Sequence, residues 1–253
     1  MAEVEFTVDD GVAIITINRP EARNAVTLAV SEGIAAALDE IAARGDIQVG
    51  VITGAGGTFC AGMDLKAFLR GEIVKLKDKG FAGITQATLG KPMIAAVEGY
   101  ALGGGFEIAI ACDLIVAAET AKFGLPEVKR GLVANAGGLM RLPRQIPPRI
   151  AAELVLTGEL VEPDLLYRHG LINRVTPTGK ALETAIALAR SIAANGPLTV
   201  AASRRVMIES LEWPADELFD RQAPITGSVF SSEDAKEGAR AFAEKRKPQW
   251  RGI

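Results

Sequence analysis

Three consecutive glycines, Gly103, Gly104 and Gly105, precede Phe106-Glu107-Ile108 and a short apolar run ending at Asp113. A glycine-rich turn that opens a helix presents unpaired backbone N–H groups with the helix dipole behind them, and without Cβ atoms a ligand can come close. Such a turn suits an oxygen that gains negative charge. The segment Gly54-Ala55-Gly56-Gly57-Thr58-Phe59-Cys60-Ala61-Gly62-Met63 is a second glycine-marked turn, after a β-branched run and before another short helix. If the two strand ends lie side by side, it supplies a second donor to the same oxygen, and two donors would stabilise an enolate. Both stretches can equally serve as tight turns that let strands and helices pack.

Glu107 falls about one turn into the helix that follows the glycines, where its carboxylate can act as acid or base beside a held oxygen. A first-turn glutamate also favours the helix dipole without any catalytic role. Glu127, in Leu125-Pro126-Glu127, follows a proline that can be a first helical position, so capping is its plain alternative. Two carboxylates on different elements are what proton donation and water activation across one double bond require.

Other chemistries lack their residues. There is one histidine, His169, and two cysteines, Cys60 and Cys112, with no spacing suited to a metal. His169 precedes Gly170 at a predicted helix end, and no Gly-x-Ser-x-Gly elbow accompanies it. The glycine runs fail the dinucleotide pattern at their sixth position, Phe59 in the first, and Gly90-Lys91 is followed by Pro92, not by the Ser or Thr of a phosphate loop.

The elements that would carry these residues alternate. Residues 5–20 read as two strands around an Asp-Asp-Gly turn, and Thr27 to Gly45 as a capped helix. Strand-like runs recur at 49–56, 93–101, 113–119 and 172–176, with helical patterns between, which predicts an α/β fold with parallel pairing. Residues 62–90 mix charge, glycine and short apolar periods and read as a loop and helix region over a site. From Pro197 onward every segment has helical spacing, so the expected organisation is a core over 1–196 and a helical, oligomer-forming region over 197–253. A net charge of −3 among 253 residues, with 49% hydrophobic residues, argues against nucleic-acid partners. The acidic start without an apolar signal core, the few cysteines and the short apolar runs lead to the expectation of a cytoplasmic protein without a membrane segment.

With these residues in view, the sequence resembles the enoyl-CoA hydratase/isomerase (crotonase) superfamily. The motifs occur in the family's order: NRPEARNA at 18–25, FCAGMDLK at 59–66, KPMIAAVEGYALGGGFE at 91–107, AKFGLPEVKRGLVANAGG at 121–138 and AFAEKRKPQW at 241–250. The resemblance implies a crotonase-like spiral of ββα units with two sheets, a C-terminal helical trimerisation region and assembly into a homotrimer or homohexamer. It also implies that a thioester oxygen is held by the N–H groups of Met63 and Gly104. Glu107 would activate water for attack on Cβ of a trans-2-enoyl-CoA and Glu127 would protonate Cα, with the roles open to sharing. The coenzyme A portion, part of the substrate and not a separate cofactor, would lie against Ala22, Arg23, Ala61, Asp64, Leu65 and Lys66, and Lys245 and Lys247 of a neighbouring subunit would reach its phosphates.

The sequence departs from the common hydratase pattern at Met63 and at Ala134-Asn135, which would alter the acyl side. KGFAGITQ and SSEDAKEGARAFAEKR also resemble the carnitinyl-CoA dehydratase (crotonobetainyl-CoA hydratase) branch. The alternatives are a double-bond isomerase and a non-catalytic acyl-CoA binder.

Overall fold

The computed structural model describes residues 2–253. Strands β1 (Val4–Asp9) and β2 (Val12–Ile17) form an antiparallel hairpin, with Val4 opposite Ile17 and Asp9 opposite Val12. Asp10 and Gly11, both at positive φ, make the two-residue turn that matches strand twist. After a 3-10 turn over Pro20–Ala22 comes α1 (Leu28–Ala43), whose Thr27 side chain accepts from the Val30 N–H. Val30, Ile34, Leu38 and Ile41 recur at helical spacing and bury one face of α1. The helix ends at Ala43 with Arg44 as its cap, directly before the expected Gly45.

The chain then repeats a pattern of strand, short crossing segment and helix. Strand β3 (Val49–Gly54) leads through Cys60 to α2 (Leu65–Leu69) and the small hairpin β4 (Lys75–Leu76) and β5 (Gly80–Phe81). Strand β6 (Met93–Val97) leads through β7 (Tyr100–Leu102) to α3 (Gly104–Ala109). Strand β8 (Leu114–Ala118) leads through β9 (Lys122–Gly124) to a 3-10 turn over Pro126–Arg130 and then to α4 (Gly138–Gln145). Residues 93–101, expected as one strand, are thus two: Gly99 at φ +55° turns the chain out of the main sheet and into a second one. Helices α5 (Pro148–Thr157) and α6 (Pro163–Arg168), strand β10 (Arg174–Thr176) and α7 (Ala181–Ala193) complete the core.

The main sheet has the order β1-β2-β3-β6-β8-β10, parallel from β2 onward, and β7 pairs with β9 in the second sheet. Side chains alternate across the main sheet. Ile94 and Ala96 face Ala181, Ala185 and Ala189 of α7, while Ala95 and Val97 join the larger core with Ile34 and Phe106. The second sheet lies beyond the carboxyl ends of β3, β6 and β8, the end of a parallel sheet where loops converge on ligands.

Beyond α7 the chain is helical: α8 (Pro197–Glu209), α9 (Leu218–Phe230) and α10 (Glu233–Ala243), with Ser232 capping α10 through the Ala235 N–H. Arg204 of α8 pairs with Asp113 at 2.9 Å, and the Trp250 indole donates to the Ala194 carbonyl, which moors this region to the core. Among the described residues no single helix is long and apolar enough to cross a membrane.

Candidate active site

The two glycine turns lie side by side. The Cys60 N–H donates to the Tyr100 carbonyl and the Leu102 N–H to the Cys60 carbonyl, so residues 60–62 run parallel to β7 as an added edge of the second sheet. A Cβ placed on Gly62 would lie 2.8 Å from the Leu102 oxygen and 3.3 Å from the Gly104 nitrogen. This contact brings the following residue, Met63, to the same cleft as Gly104. Neither the Met63 nor the Gly104 N–H has an acceptor among the described residues, whereas the N–H groups of Gly62, Asp64 and Gly103 each have one. Two bare amides on one wall of a cleft form an anion-binding pair.

Each member of the triple glycine has its own neighbour. Gly103, at φ +54°, brings the chain within reach of Glu127, whose Oε1 would sit 2.9 Å from a Cβ there. A Cβ on Gly104 would collide with the Phe81 ring, and one on Gly105 with the Cys60 carbonyl. Phe81 therefore roofs the Gly104 turn; the 62–90 region is expected to lie over a site, but nothing in its sequence marks Phe81 as the residue that does so.

Across from the amides are two carboxylates. Glu107, on α3, is 3% exposed, and its Oε1 accepts from the Ala136 N–H at 2.7 Å and the Gly138 N–H at 2.8 Å, leaving Oε2 without a protein partner. It does not serve its own helix terminus. Burial is the main cause that pushes its carboxyl up to about 7; the Gly138 amide opposes this, the charge of Glu127 adds to it, and the Ala136 amide and Arg141 oppose it again. Glu127, in the 3-10 turn after β9, makes no capping bond, and its buried Oε2 has no hydrogen-bond partner. Burial raises its carboxyl too, partly offset by its own backbone N–H and then by Arg130. A buried, unpartnered carboxylate oxygen is costly in a purely structural role and is suited to a proton or a ligand.

The cleft encloses about 500 Å³, and its walls include Met63, Gly104, Glu107 and Glu127 together with Leu65, Phe68, Phe81 and Val133. Of the candidate coenzyme A residues, Ala61 and Leu65 line it, and Ala22, Arg23, Asp64 and Lys66 do not. Arg23 and Ala61 are joined by a backbone hydrogen bond of 3.0 Å, and the Arg23 guanidinium lies 5.7 Å from the Tyr100 ring centre. Lys66 is exposed in the first turn of α2. Asp64 is occupied otherwise. Its carboxylate caps α2 through the Lys66 and Ala67 N–H groups and pairs with Arg19 at 3.2 Å. Burial works against its charge, but the Ala67 amide, Arg19 and the Lys66 amide together hold it below the usual carboxylate range. Lys245 and Lys247 are exposed after α10 and contribute nothing to the cleft of their own chain.

The chain matches the family model Enoyl-CoA hydratase/isomerase over residues 7–252. It belongs to the enoyl-CoA hydratase/isomerase family. It is 42% identical over 246 residues to the carnitinyl-CoA dehydratase of Salmonella typhi, covering 94% of each chain. It superposes on the crystal structure of an enoyl-CoA hydratase from Mycobacterium tuberculosis H37Rv with a TM-score of 0.98 and 53% identity, covering 100% of both chains. A carnitinyl-CoA hydratase from Mycobacterium avium is also similar, with a TM-score of 0.80 and 47% identity over 100% of both chains. The fold is thus the crotonase fold expected for the family.

Within that family frame, two departures find their place. Met63 and Asn135 line the cleft. Ala134 is instead only 4% exposed and packs behind Gly138. Sequence reasoning missed Phe81 and Arg130, both on the cleft wall. The signal for Arg130 was its position three residues after Glu127, which in a 3-10 turn places both on one side.

Proposed function

We propose that the protein is an enoyl-CoA hydratase that adds water across the trans-2 double bond of an enoyl-CoA thioester. The observation that carries this is the pairing of two carboxylates, the buried Glu107 and the half-buried Glu127 with its buried Oε2, with two unpaired amides, Met63 and Gly104, in one cleft. The thioester oxygen accepts from both amides and takes up the enolate charge. Glu107 removes a proton from water as the hydroxyl oxygen bonds to Cβ, and Glu127 gives its proton to Cα. Proton return from Glu107 to Glu127 through the product or solvent resets the site. Burial raises both carboxyls and the charge of Glu127 further discourages ionisation of Glu107, so the two titrate as a coupled pair and the acid and base roles belong to the pair. The addition is redox-neutral and its protons balance, so it calls for no group beyond the coenzyme A of the substrate.

Incubation with crotonyl-CoA and longer trans-2-enoyl-CoA esters tests this directly. Loss of the conjugated thioester absorbance with formation of the 3-hydroxyacyl product is expected, and no turnover on any chain length overturns it. A shifted double bond from a 3-enoyl-CoA, with no hydration, would instead assign an isomerase, and tight binding without chemistry a simple acyl-CoA binder.

A carnitinyl-CoA substrate is the second reading, favoured by the Salmonella typhi relative. Phe68 and Phe81 supply aromatic lining of the kind a trimethylammonium group binds, but Arg130 lines the same cleft and its charge opposes a cationic acyl end. This supports an uncharged acyl chain. Crotonyl-CoA is therefore expected to outperform crotonobetainyl-CoA in kcat/KM, and the reverse order assigns the dehydratase substrate.

The coenzyme A portion is placed against the Ala22-Arg23 turn and the Ala61 to Lys66 segment, with Arg23 and Lys66 as phosphate neighbours. Asp64 would support this segment through Arg19 and the α2 cap. Assembly as a homotrimer or homohexamer is supported by the apolar side chains that α8, α9 and α10 leave exposed, and a cytoplasmic location by two buried free cysteines.

A further inference from the structure

Arg141, in the first turn of α4, is a cation with no carboxylate bonded to it. Its Nη2 donates to the Thr85 carbonyl at 2.6 Å and its Nη1 to the Ala136 carbonyl at 3.4 Å. A Cβ on Gly137 would collide with Nη1, so the guanidinium is seated in a space that only glycine leaves open. These carbonyls belong to turns that hold different halves of the candidate site. The Thr85 N–H donates back to the Phe81 carbonyl, and Phe81 roofs Gly104. The Ala136 and Gly138 N–H groups hold Glu107 Oε1.

We propose that Arg141 is a positioning residue that ties the Phe81–Thr85 turn to the Ala136–Gly138 turn, and so fixes the Gly104 amide and the Glu107 carboxylate in one register. The planar fork suits this task because it reaches two carbonyls in fixed directions, which a single ammonium cannot do. The proposal rests on the hydratase reading for its kinetic consequence, but its geometry stands apart from turnover. The charged groups acting on Glu107 are Glu127 from the 3-10 turn and Arg141 from α4, and Arg141 also faces the buried Cys112 thiol.

Two variants of the full-length protein, Arg141→Met and Arg141→Lys, test it. With an enoyl-CoA substrate, Arg141→Met is expected to lower kcat by about 100-fold with KM changed by less than about 3-fold, the signature of misplaced reacting groups. Carboxyl-13C NMR of Glu107, read without any substrate, is expected to show its titration moved above that of the wild type, because a neighbouring cation has gone. Arg141→Lys, which keeps the charge and guards against a variant that fails to fold, is expected to hold the Glu107 titration near wild type while kcat stays at least about 10-fold low, since one carbonyl loses its donor. An unmoved titration in Arg141→Met, or wild-type kcat in either folded variant, overturns the proposal. A wild type that hydrates no enoyl-CoA overturns the hydratase reading instead, and the titration then decides the role of Arg141 alone.

Discussion

The two glutamates line one cleft, and burial has raised both, Glu107 to about 7. For Glu107 the sign of the consequence is definite. Between its unfolded value of 4.5 and about 7 the folded chain binds the extra proton, so Glu107 favours folding while protonated, and this contribution is lost as pH rises through 7. Glu107→Gln keeps an oxygen for the Ala136 and Gly138 amides but removes the charge. It is expected to raise unfolding stability at pH 8 by about 1–3 kcal/mol in denaturant titration, while abolishing hydration. For the wild type, kcat/KM is expected to rise with pH on a limb centred near 7, where Glu107, the proposed base, loses its proton. Glu127→Gln is expected to lower kcat by about 100- to 10,000-fold and leave thioester binding, measured by calorimetry, within a few-fold. Wild-type rates in that variant would remove the two-carboxylate mechanism.

At the scale of elements, the amide pair depends on how closely residues 60–63 run against β7 and the start of α3. Gly62, at φ +96°, has the Leu102 oxygen 2.8 Å from where its Cβ would be. Gly62→Ala must both strain the backbone and push the two turns apart. It is expected to cost about 1–3 kcal/mol of stability and to lower kcat about 10- to 100-fold, with circular dichroism unchanged. A folded Gly62→Ala with full kcat would show that the spacing of the two amides is not critical. The short helices here are otherwise positioned by small local devices. Asp64 caps α2, and Arg19, which Asp64 pairs with, also approaches Glu3 at 3.2 Å, linking the first strand to the loop that carries Met63.

For the whole molecule, the C-terminal helices are the informative part. Helices α8 and α9 bury no residue fully, and Met207, Leu211, Phe219, Phe230 and Phe242 are 71–88% exposed. Helices of this length gain their stability from packing of an apolar face, which these faces lack within one chain. Light scattering is expected to give a mass of three or six chains, and Phe219→Asp with Phe230→Asp to lower that mass; a monomeric wild type at micromolar concentration would overturn the proposed assembly.

The sequence by itself determined the alternation of strands and helices, the hairpin at Asp10-Gly11, the Thr27 cap and the candidate pair of glutamates, because these depend on periodicity, turn chemistry and residue type within a few positions. Its motifs also placed Met63 and Gly104 in one proposed site through family resemblance. Tertiary structure decided what those residues touch. The 93–101 run became two strands in different sheets because Gly99 turns the chain, a backbone event that hydrophobic pattern does not report. Glu107 and Glu127 each had an ordinary helix-terminus explanation in sequence, and only the fold showed that Glu107 is held by amides 29 and 31 residues away and that Glu127 keeps a buried oxygen unpartnered. Phe81 and Arg141 were illegible for the same reason: their roles come from contacts between distant segments, and no local spacing encodes which loop a side chain will meet once the parallel sheet has brought its strand ends together.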